Sequence, residues 1–191
     1  MTIVEEGLAA MRGCWRFMRR DPEADRDFNL TIDGFWRSFA MVLPLLLLMY
    51  PIFISDHRLG IELAEEPAEA PVLDIGRDYL RLAANVLAWP LAAALLAKLL
   101  GVSRNYVRYM VIYNWMSLPT TVLALLPHVF YLGSGSVQVA LALAAIVIPL
   151  LLYVSWYVAN RALETTALVA IAFVLAEYAV IIGMGRLIRY V

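Results

Sequence analysis

Residues 165–185 read TTALVAIAFVLAEYAVIIGMG, a run bounded by Glu164 and Arg186. As a helix rising about 1.5 Å per residue, these 21 residues span roughly 32 Å, the depth of a bilayer's hydrocarbon core. The run holds no proline and one carboxylate, Glu177. A carboxylate at that depth needs a partner, a proton or water, so this one side chain constrains whatever the other helices do around it.

The rest of the chain has the same character. Apolar residues make up 63% of it, against roughly 45–50% in soluble domains. The charged residues collect at 5–37, 56–81 and 98–108, with small groups near 161–164 and 186–189. Apolar runs separated by charged segments are the pattern of membrane spans. A formal charge of −1 argues against nucleic-acid binding, which needs a basic excess. Cys14 is the one cysteine, so intrachain disulfides and cysteine metal clusters are excluded. It reads as an inert thiol near the membrane surface, with S-acylation as the alternative. No apolar run of signal-peptide type precedes residue 35, so the first span is expected to act as its own insertion signal.

The expected fold is all-α: a polytopic membrane bundle of five transmembrane helices with an interfacial amphipathic helix at the N-terminus. Residues 1–34 form a cytoplasmic leader. Within it Val4, Leu8, Met11, Trp15 and Met18 recur at steps of four and three, one apolar stripe. Arg12, Arg16, Arg19 and Arg20 lie off that stripe and form a basic face for the membrane surface. Packing on this protein's own cytoplasmic end, or on a partner, is the other reading. Asp21 to Asp27 (DPEADRD) is expected as a solvated break, stopped by Pro22. The Asn29-Leu30-Thr31 sequon is discounted because it falls on the cytoplasmic side.

The spans are placed at about 35–54, 79–100, 105–130, 137–158 and 165–185. Phe35 and Trp36 sit at the headgroups of the first, with Arg37 snorkelling back. Residues 55–78 form a long acidic loop punctuated by Pro67 and Pro71. Gly101–Arg104 is a tight turn, which makes spans two and three an antiparallel hairpin. With the N-terminus inside, 10 basic residues fall on the inner side and 5 on the outer. That favours N-in and C-out, although Arg186 and Arg189 pull the other way. The arginine bias, with Lys98 the one lysine, associates the chain with a GC-rich bacterium and hence its inner membrane.

For chemistry the candidates form an intramembrane polar cluster of Glu177, Asn85, Asn114 and Tyr113. Counted from the outer ends, Glu177 and Asn85 lie at roughly 13 and 10 Å, which allows a hydrogen bond between them. The plain reading is a structural acid bonded to an asparagine, a tyrosine or a carbonyl. The others are a proton- or cation-handling group and a contact to another subunit. Ala172 with Ala176, and Ala179 with Gly183, have the small-xxx-small spacing of close helix contact or self-association. Prolines 44, 51, 90, 119, 127 and 149 are more simply explained by their frequency in membrane helices than by ion sites. His128 lacks a second histidine in helical reach, so no metal is expected, and no cofactor. No phosphate loop or activated nucleophile is visible, and no enzymatic activity is expected.

The layout of leader, one span, outer loop and four closely spaced spans, with Tyr113-Asn114-Trp115 and Pro119 in the third span, resembles the Yip family of five-span proteins known for contacting Rab-type GTPases. The resemblance implies a non-enzymatic membrane protein that organises partner proteins or lipids. A small transporter or channel component with Glu177 and Asn85 in the path is the alternative. A lipid-acting membrane enzyme is a third, without a motif to carry it.

Overall fold

The computed structural model describes residues 2–64 and 72–188. Helix α1 (Ile3–Met18) opens with a capping box, Thr2 accepting from the Glu5 amide while Glu5 reaches back to the Thr2 amide. A short 3₁₀ turn (Ala24–Asp27) follows. Helix α2 (Ile32–Ser38), capped by Thr31, passes through a 3₁₀ turn into α3 (Val42–Glu62). Then come α4 (Ile75–Leu99), α5 (Tyr106–Ser134), α6 (Val137–Ala162) and α7 (Ala167–Ile188). Among the described residues there is no strand.

Among the described residues five helical segments are long and apolar enough to cross a membrane: 32–62, 75–99, 103–134, 137–162 and 167–188. The protein is an integral, multi-pass membrane protein with an all-α bundle. The first segment runs further in both directions than the apolar run alone suggested. Asp56, His57 and Arg58, expected in the outer loop, lie in the last turns of α3. A helix protruding into a polar zone carries such residues without cost, so charge is a poor marker of its end. Of the expected acidic loop, Glu65, Glu66, Pro67, Glu69 and Pro71 lie outside the described residues, as does Arg189.

Helix α5 is the hub. It packs on α6, α3, α2 and α1, while α7 closes the bundle by packing on α4 and α6. The contacts Asn114–Ser38 and His128–Ser55 fix α3 and α5 as parallel neighbours, as one intervening span requires. Prolines 51, 90, 119, 127 and 149 all lie inside continuous helices. The ends are sharper than the interiors. Gly101 and Gly135 adopt left-handed φ values of 72° and 68° to finish α4 and α5.

The leader is an integral part of this bundle. Its buried face is a second stripe of mostly small residues, Ala9, Ala10, Gly13 and Cys14, ending in Phe17. Val4, Leu8, Trp15 and Met18 of the expected stripe point outward. Gly13 is required here, because a Cβ would come within 2.8 Å of the Phe28 ring. Burial withdraws Cys14 from water and pushes its thiol up to about 12, which leaves it a packing group.

Two expectations about charge are corrected. Arg37 does not snorkel to headgroups: its Nε sits 2.5 Å from Oε2 of the buried Glu6. The 21–27 segment is not merely solvated. Asp21 and Asp27 grip Arg16 at 2.7 and 2.9 Å, and Asp25 reaches Arg108 at 2.8 Å. Acids and bases that share one end of the bundle neutralise each other when loops meet there.

Candidate functional site

Between α3, α4, α5 and α7 lies a cavity of about 330 Å³. Its position follows from the packing: α7 leans on α4, α3 leans on α5, and α3 and α4 contact each other sparsely. Helix α3 lines it with Leu45 and Met49, and the 3₁₀ turn before it with Met41. Helix α4 contributes Leu82, Asn85, Val86, Trp89 and Pro90. From α5 come Tyr113, Asn114, Ser117, Thr120 and Thr121, and from α7 Glu177, Val180 and Ile181. The four residues of the expected polar cluster thus line one space, although they come from three helices.

Within it Glu177 takes a tyrosine, one of the partners expected of it, and not Asn85. Tyr113 Oη donates to Glu177 Oε1 at 2.7 Å. Asn85 does not take that place; its Oδ1 is buried and has no hydrogen-bond partner among the described residues. Asn114 is buried and donates through Nδ2 to Ser38 Oγ at 2.8 Å. Ser38 in turn donates to the Phe35 carbonyl at 2.7 Å. Asn114 is therefore the joint between α5 and the α2–α3 segment, as well as a wall of the cavity. Ser117 and Thr120 hydroxyls turn back on carbonyls of their own helix.

One wall is aromatic. Trp89 lies 6.0 Å from Tyr113, ring centre to ring centre, and meets Phe173 edge-on at 6.3 Å. Tyr109 stands behind, 5.7 Å from Tyr113 and 5.3 Å from Phe173. This wall holds Tyr113 in position to bond Glu177, since neither ring can turn without displacing the others. Sequence reading marked Tyr113 but missed Trp89 and Phe173. Each sits four residues, about one turn, from a polar residue of its own helix, Trp89 from Asn85 and Phe173 from Glu177, but only the α4–α7 contact brings the two rings together.

The other expected site residues lie elsewhere. Arg16 is committed to Asp21, Asp27 and Glu23, and Arg20 donates to Tyr153 Oη at 2.8 Å. Arg12 and Arg19 remain outward, Arg12 with a 3.8 Å contact to Asp27 and Arg19 over the Trp15 ring. Ala172 and Ala176 are partly covered, whereas Ala179 and Gly183 face outward with open space beside Gly183. His128 meets Ser55 Oγ at 3.1 Å and Asp56 at 3.4 Å, both through Nδ1. A relay would need its two ring nitrogens to serve different partners, so this is no nucleophile–base arrangement. Among the described residues no group of three or more potential ligands is placed to hold a metal.

No protein-family model, no curated protein and no solved structure matches this chain.

Proposed function

We propose that this membrane protein is non-catalytic and handles a small solute at the Glu177 cavity, as a transporter or channel component. The observation that carries the reading is the convergence of Glu177, Tyr113, Asn85 and Asn114 on one intramembrane space. Polar groups inside a membrane bundle are costly, and they mark substrate or ion paths where they face a cavity. A chain that merely organised neighbours would gain more from filling this space with apolar side chains. The orientation we favour is N-terminus cytoplasmic in a bacterial inner membrane, on the strength of the basic-residue distribution.

The test is water access. In a Cys14→Ala background, Ser117→Cys is expected to react with a membrane-impermeant thiol reagent applied from one side of intact vesicles. Reaction only with a lipid-soluble maleimide would mean a space closed to water, and the transport reading would be withdrawn.

A second reading has its own support. The outward stripe of Val4, Leu8, Trp15 and Met18, with Arg12 and Arg19 exposed, suits contact with the lipid surface and the organising role implied by a Yip-like layout. On that reading the bilayer itself is the partner, and self-association through Ala179 and Gly183 is tested by crosslinking.

A further inference from the structure

We infer that the Glu177 cavity selects a small hydrophobic ammonium: a primary amine carried on a compact apolar or aromatic body. The inference rests on the solute-handling reading above and adds the ligand's class.

The sign of the charge follows from the lining. Glu177 is the one side chain in the wall that can carry a charge at neutral pH, and no arginine, lysine or histidine faces it there. An anion would meet a carboxylate in a medium of low dielectric with nothing to offset it. The free hydrogen-bonding capacity has the same bias. Tyr113 already fills Oε1, and Oε2 has no hydrogen bond among the described residues. Asn85 Oδ1 is buried without a donor. Pro90, which lines the cavity, has no N–H to give to the carbonyl of Val86, another lining residue. Trp89 Nε1 is the one buried donor of the wall without a partner among the described residues; beside the carboxylate the open groups, Glu177 Oε2 and Asn85 Oδ1, are acceptors, so the complement there is a donor with several N–H bonds. A protonated primary amine supplies three.

The body of the ligand follows from the rest. Trp89 and Tyr113 present ring surface beside the carboxylate, and a cation is drawn to such faces. Met41, Leu45, Met49 and Val180 complete an apolar pocket. A volume of about 330 Å³ is at the small end for ligand sites, which limits the occupant to a compact molecule. A metal cation is disfavoured, because hard cations take six or more oxygen ligands and this wall is largely apolar.

The test uses the full chain in lipid nanodiscs, titrated calorimetrically with phenethylammonium chloride. Phenethyl alcohol and phenylacetate are the neutral and anionic controls, and empty nanodiscs are the blank. The expected result is saturable binding of the ammonium above the blank, with both controls on the order of tenfold weaker or worse, as loss of a charge-assisted hydrogen bond implies. Glu177→Gln is expected to weaken the ammonium by a similar factor, and Glu177→Asp to retain part of the binding. Val180→Phe, which fills the space and leaves the charge, is expected to abolish it. Helical content by circular dichroism confirms that each variant is folded. Equal binding of alcohol and ammonium, unchanged binding in folded Glu177→Gln, or ammonium uptake no greater than the blank would each overturn the ligand class. If Ser117→Cys is labelled from water all the same, the solute-handling reading survives and only this inference falls.

Discussion

Two residues, Arg20 and Glu164, hold left-handed φ values of 61° and 51°, a conformation that favours glycine. Each ends a helix, and each uses its side chain to tie that end down. Arg20 donates to Tyr153, and Glu164 accepts from Arg108 at 2.8 Å. Next to Arg20, Asp21 is tuned by its neighbours. The Arg16 guanidinium, and then the Glu23 amide, hold its carboxyl below the usual value of 3.8. A carboxyl depressed in the folded state contributes stability above its ordinary value and loses it as pH falls through the folded one. The turn that follows α1 is therefore expected to be held at pH 5 and to loosen as pH falls below about 3.8. Hydrogen exchange of residues 3–27, corrected for intrinsic rates and compared with α5, measures it. Equal protection at pH 5 and pH 3 would show that Asp21 contributes nothing.

At the scale of elements, the end of the bundle that carries the leader is held by Arg108. It binds Asp25 and Glu164, each at 2.8 Å, and donates to the carbonyls of Arg161 and Ala162, each at 3.2 Å. One side chain on α5 thus secures the turn after α1 and the C-terminal end of α6. Arg108→Met is expected to lower unfolding stability by about 1–3 kcal/mol, because Asp25 loses its partner and two carbonyls lose a donor. Asp25→Asn is expected to cost less, since Glu164 remains. Unfolding of the two variants in one detergent gives the comparison. This arrangement shows where sequence reading stopped. The five spans were visible because an apolar run of membrane length is a local property. That Asp25 meets Arg108, or Glu6 meets Arg37, depends on how helices rotate and which loops touch. A weaker signal did exist. The acids of 21–27 and the bases at Arg104, Arg108 and Arg161 were all assigned to one side, so mutual neutralisation was available as an inference.

Across the whole molecule the same limit applies to the cavity. Depth counting brought Glu177 and Asn85 to similar levels and allowed a bond between them, with a tyrosine or a carbonyl as the other partners. Level alone does not fix which face of a helix points inward, and the tyrosine one helix over takes the carboxylate. The residue types of the site were legible, because polar side chains stand out in apolar runs. The aromatic wall was not, because Trp89 and Phe173 look like ordinary core. The central claim is that the space they enclose holds water within an otherwise apolar bundle. Hydroxyl-radical footprinting of the folded chain in nanodiscs tests it most directly, since the radical forms from water where the water is. Met41 is only 3% exposed and lines the cavity. It is expected to be oxidised, together with Tyr113, while the fully buried Met110 stays unmodified. Oxidation of neither Met41 nor Tyr113, in a chain whose outer residues are fully labelled, would contradict the account.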